Sequence, residues 1–299
     1  MKKWKYKKSI IRGSLTVNII SKNEEEVIKR AIESIADLAD EVIVVDTGST
    51  DNTLVEAINA GARVSQVKWE DDFSKPRNKA IELSKTEWIL SLDADEVIPQ
   101  RGKEELSQMM AKPEIAGWRL ETLNYGFQKN MLNIQVNNGV YEEGKEYPFY
   151  VGSTKTRMFQ RRNDIRWRFP IHEVVDPSII DLGGRFAEGV LKIQHLHKEK
   201  GGASLKKRAD FYLSMCEKKV KQYPEMGHAW GELAVCELIK GLYPRAARSY
   251  YNAITKGEDI SKNRYGYAGV LKILGHIKEC DKEIDRAICM DFPNLTTIK

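Results

Sequence analysis

The sequence predicts an α/β protein with a mostly parallel sheet, followed by a separate all-α region. In the first ninety or so residues, short β-branched runs alternate with amphipathic helical stretches, which is typical of βαβ units. From Ser204 onward the pattern is helical and repeats. The 299 residues suit two modest domains. With 41% hydrophobic and 30% charged residues, a collagen-like, low-complexity or disordered chain is excluded.

Four hydrophobic runs in the first part are interpreted as strands, each followed by a turn or helix signal. The expected strands span residues 15–20, 41–45, 62–67 and 88–92, and the helices between them span 24–37, 51–60 and 74–83. Asp51 provides an N-cap and Gly61 the usual C-terminal glycine for the second helix. Pro76 is tolerated in the first turn of the third.

Beyond Pro99 the pattern weakens. We expect a helix over residues 103–110 and strands over 117–125, 154–160 and 190–195. Residues 126–150, rich in Asn, Gly, Glu and Tyr, read as a long loop. A loop of this length inside a compact domain is either functional or contains an unrecognised element.

The helical region carries a 34-residue repeat of tetratricopeptide type. The first copy is defined by Trp230, Leu233, Ala234, Ala246, Tyr250 and Ala253, and the second by Arg264, Tyr267, Ala268, Cys280, Ile284 and Ala287. Arg264 is the position that departs from the pattern. A preceding helix over residues 205–222 can cover one end of the array. The expected organisation is a basic tail at 1–12, an α/β domain at 13–198 and a helical domain at 204–299.

The charge of the chain is concentrated at its start. Five lysines within the first eight residues account for the net charge of +5, so the remaining residues sum to zero. A nucleic-acid binder usually spreads its basic excess over a folded face, so no nucleic-acid partner is expected. The tail is interpreted as a solvated terminus, the alternative being weak peripheral attraction to anionic lipid. No apolar run reaches the length of a membrane span or forms a signal peptide, so a cytoplasmic protein is expected.

Acidic residues follow the second and fourth predicted strands directly. Asp46 comes after residues 42–45, and Asp93 and Asp95 come after residues 88–92. In open α/β sheets, ligands bind at the carboxyl ends of the strands. Carboxylates gathered there favour a divalent cation between them. The alternative is that they are turn residues, and this is stronger for Asp46, whose Asp-Thr-Gly-Ser-Thr-Asp string also makes an ordinary turn and helix cap.

Four segments of the first part of the chain form an ordered set of motifs. They are Asn18-Ile19-Ile20-Ser21-Lys22-Asn23-Glu24-Glu25, Val44-Val45-Asp46-Thr47-Gly48-Ser49-Thr50-Asp51, Trp69-Glu70-Asp71-Asp72-Phe73-Ser74-Lys75-Pro76-Arg77-Asn78 and Leu92-Asp93-Ala94-Asp95-Glu96. In this order they resemble the motifs of family 2 glycosyltransferases with the GT-A fold. More narrowly, they resemble the bacterial branch with tetratricopeptide repeats behind the catalytic domain. The resemblance is strong over residues 14–98 and looser over 150–200.

The resemblance implies a donor site for a nucleotide diphosphate sugar, often a UDP-sugar, with Mn²⁺ or Mg²⁺ neutralising the leaving group. It assigns Asp95 to the metal, Asp93 to the ribose and the metal shell, Asp46 to the uracil edge, and Ile20 and Glu24 to the nucleoside pocket. Arg77 is expected to contact the pyrophosphate or Asp93, because its planar fork suits paired oxygens. A purely structural ion pair is the alternative for Arg77.

An inverting transfer needs a general base to take the proton of the acceptor. The segment from Arg166 to Val174 resembles the His-Glu pair of this branch, which points to Glu173 as base and His172 as an orienting residue. The alternative for Glu173 is a surface ion pair with the nearby arginines, and the alternative for His172 is a structural role. His195 and His197 share one face of a strand, and His195 fits the late metal-binding histidine better. The basic run that includes Lys155, Arg157 and Arg161 is interpreted as a solvated face rather than a phosphate clamp.

These observations predict a metal-dependent inverting glycosyltransferase acting on a peptide, a protein or a cell-surface glycan, with the sugar and oligomeric state left open. Sugar-1-phosphate nucleotidyltransferases share the sheet but need a Gly-rich loop after the first strand, where this chain has Ser21-Lys22-Asn23-Glu24. A second hypothesis is a non-catalytic tetratricopeptide scaffold with a vestigial nucleotide-sugar domain. Several acids kept close together disfavour it.

Overall fold

A computed structural model describes residues 13–100, 102–127, 133–196 and 202–291, with the side chains of 202–207 left out. The chain divides into two compact units, Met1–Lys198 and Glu199–Lys299. The predicted basic tail and His197 lie outside the described residues.

The first unit begins with four parallel strands joined by helices. The strands are β1 (Leu15–Ser21), β2 (Glu41–Asp46), β3 (Arg63–Gln66) and β4 (Trp88–Asp93), and the helices are α1 (Ile28–Glu33), α2 (Thr53–Asn59) and α3 (Ser74–Leu83). Their order in the sheet is β3-β2-β1-β4. Nearly every residue of the central strands β1 and β4 is buried, as expected where helices cover both faces of a parallel sheet.

Helix α1 is shorter than the predicted helix over residues 24–37. Side chains from the neighbouring loop bind the backbone where that helix was expected to begin. The Glu24 N–H donates to Thr53 Oγ1 at 2.7 Å, and the Glu25 N–H donates to Asp51 Oδ2 at 3.3 Å. These hydrogen bonds satisfy N–H groups ahead of the helix, which have no partner within it. Residues 25–27 and 34–37, on either side of α1, form turns where helix was predicted.

The second half of the unit extends the sheet with mixed strand directions. It contains β5 (Glu96–Val97), α4 (Gly102–Met110), β6 (Gly117–Gly126), β7 (Gln135–Val136), a 3₁₀ turn (Glu142–Gly144), β8 (Phe149–Gln160), α5 (Asp176–Asp181) and β9 (Phe186–His195). The full order is β3-β2-β1-β4-β8-β6-β9-β5, with β7 beside β8. The prediction of one long loop over 126–150 is wrong in part, because it contains β7 and the start of β8.

The sheet separates two hydrophobic clusters. The larger packs α1 and α4 against residues such as Leu15, Ile19 and Leu90, all fully buried. A second cluster contains Ile89, Phe159 and residues of the segment after β8. The predicted GT-A arrangement, a largely parallel sheet with helices on both faces, is confirmed.

Residues 202–291, the described part of the second unit, form five helices. They are α6 (Gly202–Gln222), α7 (Gly227–Ile239), α8 (Tyr243–Thr255), α9 (Ser261–Ile273) and α10 (Ile277–Asp291). Helix α9 begins 34 residues after α7, and α10 begins 34 residues after α8, so the predicted repeat corresponds to two successive helix pairs. Among the described residues, no helix is long and apolar enough to cross a membrane.

Small residues at the repeat positions bring the helices close together. Ala234, Ala246 and Ala253 are fully buried. Arg264, the position that departs from the pattern, is also buried, and its guanidinium pairs with Asp259 and Glu283. The charge that Arg264 introduces at a normally apolar position is thus neutralised by two acids.

Gly266 in α9 provides a test of this close packing. A Cβ at this position would lie 2.4 Å from the ring of Tyr250, which is only 3% exposed and cannot move aside freely. Gly266→Ala should destabilise the helix pair by about 1–3 kcal/mol through overpacking. Hydrogen exchange of the α9 amides in the full chain measures the loss.

Gly269, one turn further along α9, is the matched control. A Cβ there meets no atom within 4 Å. Gly269→Ala should therefore stabilise the helix by about 0.5–1 kcal/mol, because alanine loses less backbone entropy on folding. Equal protection of α9 in the two variants would contradict the packing seen between α8 and α9.

Candidate active site

The carboxyl edge of the parallel strands carries the acids expected there. Strand β1 lies between β2 and β4, with Ser21 opposite Asp46 and Ile20 opposite Asp93. The two aspartates therefore end their strands at the same edge of the sheet. Had the two aspartates ended their strands at opposite edges of the sheet, they could not have contacted the same ligand.

Asp46 is fully buried and braces its own loop. Its Oδ1 accepts hydrogen bonds from the backbone N–H groups of Gly48 and Ser49, both at 2.9 Å. Its Oδ2 accepts from the hydroxyls of Ser21 and Ser49. Burial acts to raise the pKa of Asp46, but the hydrogen bonds from Ser49, Gly48 and Ser21 outweigh it and hold the pKa below its usual value. These contacts match the turn interpretation of Asp46, and its contact with a nucleoside stays a prediction.

The loop after β1 is tied to the loop after β2. Asn23, whose φ is 56°, accepts from the Thr50 N–H at 2.8 Å, and its own N–H donates to Ser49 Oγ at 2.8 Å. Ile20 and Glu24, predicted to line a nucleoside pocket, lie on either side of this junction and are half-buried. The junction fixes the backbone on which both residues stand.

Arg77, from the first turns of α3, joins the acid at the end of β4 to the predicted base. Its Nη2 donates to Asp93 Oδ1 at 2.7 Å, its Nε donates to Glu173 Oε1 at 2.5 Å, and its Nη1 donates to Ser91 Oγ at 2.8 Å. Its guanidinium also lies 5.1 Å from the ring centroid of Trp167. Burial acts to lower the pKa of Arg77, but Glu173 and Asp93 more than offset this and raise it.

Arg157 on β8 forms a second bridge to the same aspartate. Its Nη2 donates to Glu96 Oε1 at 2.5 Å, and its Nη1 lies 3.6 Å from Asp93 Oδ2. Glu96 Oε2 in turn accepts from the Asp93 N–H at 2.8 Å. Burial opposes ionisation of Asp93, but Arg77 and Arg157 together hold its pKa far below the usual value. Asp93 is therefore an anion oriented by two arginines.

Asp95 and His195 form a separate pair beside this network. His195 Nε2 lies 3.1 Å from Asp95 Oδ2, and His195 Nδ1 lies 2.8 Å from Asn124 Oδ1. Burial acts to lower the pKa of His195, but the Asp95 carboxylate outweighs it and raises the pKa. The same contact lowers the pKa of Asp95 against the opposing effect of burial.

The Asp95–His195 pair fits a divalent cation, because one carboxylate oxygen and one imidazole nitrogen face each other and both are metal donors. In residues 13–100, 102–127, 133–196 and 202–291, no three His, Cys, Asp or Glu side chains are arranged to hold a metal ion. Of the predicted ligands Asp93, Asp95 and His195, the structure brings the last two together and directs Asp93 at the arginines. A ligand role for Asp93 stays a prediction.

Glu173 is carried by a tight loop after β8. Reciprocal backbone hydrogen bonds between Arg168 and Val174, at 2.9 and 3.2 Å, close the loop. Within it, Phe169 and His172 have positive φ angles of 78° and 49°. The Glu173 side chain is only 12% exposed, whereas His172 is exposed. The loop thus directs the two predicted catalytic residues into different environments.

Three residues of the site were not singled out from the sequence. Glu96 follows the Asp93–Asp95 motif directly, which was a usable signal. Arg157 was grouped with a basic run read as a solvated face, and that interpretation is wrong for Arg157, which is only 6% exposed. Asn124 gave no signal, because its partner His195 is 71 residues away.

Two curated relatives are similar to part of this chain. A TPR repeat-containing protein of Synechococcus elongatus is 35% identical over 170 residues, covering 57% of this chain and 37% of that protein. Glycosyltransferase SunS, encoded by the SPbeta prophage of Bacillus subtilis, is 26% identical over 214 residues, covering 71% of this chain and 46% of that protein. The chain therefore spans less than half the length of these two relatives.

Solved structures of glucosyl-3-phosphoglycerate synthase from Mycobacterium tuberculosis are also similar. One has a TM-score of 0.44 and 18% identity, covering 64% of this chain and 75% of that one. The family model described as "Glycosyl transferase family 2" matches residues 16–176, which is more than half of the 299 residues and includes Asp46, Arg77, Asp93, Asp95 and Glu173. The chain belongs to glycosyl transferase family 2.

Proposed function

We propose that this chain transfers a sugar from a UDP-sugar to an acceptor with inversion at the anomeric carbon. The observation that carries the proposal is the double contact of Arg77. It joins Asp93, at the ligand-binding edge of the sheet, to Glu173, the carboxylate expected to act as base. The carboxylate assigned to the donor, Asp93, and the one assigned to the acceptor, Glu173, are thereby held in one network. A displacement at one carbon requires donor and acceptor groups to be close together.

On the donor side, Asp95 and His195 would hold Mn²⁺ or Mg²⁺. When bound, the ion supplies positive charge against the diphosphate leaving group. Asp93, ionised and oriented by Arg77 and Arg157, is assigned to the ribose. Ile20 and Glu24 are assigned to the nucleoside, and Asp46 either accepts from the uracil edge or acts by bracing the loop beside it.

On the acceptor side, Glu173 is assigned the role of general base. The Arg77 Nε–H occupies Glu173 Oε1 and leaves Oε2 as the candidate atom to accept the proton of the attacking group. His172, exposed on the same loop, is assigned to orienting the acceptor. A thiol acceptor, with a pKa near 8.5, needs less help from this base than a hydroxyl does.

The acceptor is proposed to be a peptide, a protein or a cell-surface glycan. The two helix pairs of the second unit favour the first two, since arrays of this kind present extended binding surfaces. The same helices support the competing proposal, a peptide-binding scaffold without turnover.

A hydrolysis screen across UDP-sugars with Mn²⁺ separates these proposals. The full chain should release UDP from at least one donor, and mass spectrometry of candidate acceptors then identifies the product. Asp95→Asn should lower UDP release by about 10-fold or more through loss of a metal ligand. Asp37→Asn, which alters a surface pair with Lys103, is the matched control and should leave the rate unchanged.

Absence of both UDP binding and UDP release from every donor would overturn the proposed activity. Binding of UDP and Mn²⁺ without any turnover, combined with capture of a defined peptide, would favour the scaffold.

Glu173→Gln tests the base. The amide keeps an oxygen for Arg77 but cannot accept the acceptor's proton, so kcat for transfer to a hydroxyl should fall by about 10²–10⁴-fold. Affinity for UDP with Mn²⁺, measured by calorimetry, should stay the same. Glu188→Gln alters an exposed carboxylate of the same unit and should keep full activity. Normal turnover by Glu173→Gln would show that another group takes the proton.

Arg77→Met tests the bridge between the two acids. It leaves Asp93 and Glu173 without their shared cation, and breaking a buried pair in this way costs about 3–5 kcal/mol. We expect a matching fall in unfolding free energy of the first unit together with loss of transfer. Arg168→Met removes an exposed pair with Asp181 and should cost below about 1 kcal/mol. Equal losses for the two variants would contradict the special position of Arg77.

A further inference from the structure

Asn124 connects three strands next to the Asp95–His195 pair. It lies on β6 opposite His195 of β9 and opposite Val151 of β8. Its side chain is half-buried and contacts both neighbouring strands. The sequence motifs do not include it, and the proposed function assigns it no role.

The orientation of the Asn124 amide is determined by two carbonyl oxygens, which only accept hydrogen bonds. Its Nδ2 donates to the carbonyl oxygens of Val151, at 2.9 Å, and Thr122, at 3.2 Å. Ser153 Oγ lies 3.1 Å from the same nitrogen. A flipped amide would place Oδ1 against two carbonyl oxygens, which is unfavourable. The oxygen of Asn124 therefore faces His195.

This orientation determines that the ring nitrogen of His195 facing Asn124 is the protonated one. Asn124 Oδ1 only accepts, so His195 Nδ1, at 2.8 Å, must donate. The other ring nitrogen, Nε2, then faces Asp95 Oδ2 at 3.1 Å. A divalent cation would take the place of hydrogen between these two atoms, because the lone pair of Nε2 and a carboxylate oxygen are both metal ligands.

We propose that Asn124 is a positioning residue that fixes the ring plane and the Nδ1–H tautomer of His195, so that Nε2 and Asp95 together bind the divalent cation. The inference rests on the proposed function, because it assumes that this pair is the metal site. In this role Asn124 forms a hydrogen bond to the histidine that binds the metal and does not contact the ion itself.

Titration of the full chain with Mn²⁺ in the presence of UDP tests this role by calorimetry. Asn124→Leu removes the acceptor at similar volume and should weaken Mn²⁺ binding by about 10- to 100-fold. Asn124→Gln keeps both an amide N–H donor for the carbonyls and an acceptor for His195 Nδ1, so it should retain more of the affinity than Asn124→Leu does. Circular dichroism checks the fold of each variant, and Asn124→Ala replaces the leucine variant if that one does not fold.

Asn137→Leu is the matched control for lost structural hydrogen bonds. The Asn137 amide also donates to two carbonyl oxygens, those of Gly144 and Tyr147, at 2.8 and 2.7 Å. No hydrogen bond in the described residues joins it to His195. Its replacement should leave Mn²⁺ affinity unchanged, so a loss confined to Asn124 variants supports positioning rather than general loosening of the sheet.

Nitrogen-15 spectra of the histidine rings give a readout that a purely structural role would not move. The chain has five histidines, and His195→Gln identifies the signals of His195. With Mg²⁺ and UDP, the wild type should show the Nδ1–H tautomer, and Asn124→Leu should show a mixture of tautomers.

Two outcomes separate this inference from the proposed function. If Asp95→Asn abolishes Mn²⁺ binding while Asn124→Leu binds normally and keeps the wild-type tautomer, the role of Asn124 is overturned and the metal site stands. If the wild type does not bind Mn²⁺ with UDP, both proposals are overturned.

Discussion

Burial of the Arg77 guanidinium between two carboxylates constrains the rest of the candidate site. A charge removed from water is costly unless surrounding groups replace its hydration, and here each of its three nitrogens donates to a side chain: Asp93 and Ser91 on β4 and Glu173 on the loop after β8. Because the guanidinium is planar and rigid, these donors have fixed directions. Helix α3, strand β4 and the loop must therefore keep their relative positions for the charge to stay satisfied. Asp93 is held from its other side by Arg157, so it cannot follow a movement of Arg77 without losing a second ion pair.

The sequence predicts the first half of the fold well because local signals and tertiary structure agree there. The strands β1, β2 and β4 are buried on both faces, and this burial is visible as short runs rich in Val, Ile and Leu, interrupted by Thr16 and Asn18 in β1 and by Ser91 in β4. The 34-residue repeat is equally visible, since each helix pair must present small residues at the same positions. The second half was harder, because β5 and β7 have two residues each and α5 has six, too few to show a period. The extent of α1 was overestimated, since residues 25–27 and 34–37 carry the helical spacing of apolar residues but form turns.

The residues of the candidate site also differ in how far the sequence predicts them. Asp46, Asp93 and Asp95 could be predicted because each stands at or just beyond the end of a strand that the sequence makes visible, and parallel strands bring their ends to one edge. The side chains that orient these acids and their neighbours could not be predicted from the sequence. Arg157 reaches Glu96 across 61 residues, and Asn124 reaches His195 across 71. Both contacts depend on the register among β6, β8 and β9, and a one-residue slip would send these side chains to the opposite face. No local pattern encodes that register before the strands pair.

The loop that carries Glu173 has a conformation that its own residues do not favour. Positive φ angles at Phe169 and His172 cost of order 1–3 kcal/mol each and persist only where neighbouring structure imposes them. That structure is helix α3 and the residue before it. The Phe73 N–H donates to the Pro170 carbonyl at 2.9 Å, and the Asn78 amide makes reciprocal hydrogen bonds, at 3.0 and 2.8 Å, with the backbone of Trp167. Asn78 and Arg77 are consecutive in α3, so the same turn of helix holds both the backbone of the loop and the carboxylate at its end. The position of Glu173 is consequently set by α3 together with the Arg168–Val174 hydrogen bonds of its own loop. The strain is retained because releasing it would also break the buried ion pair.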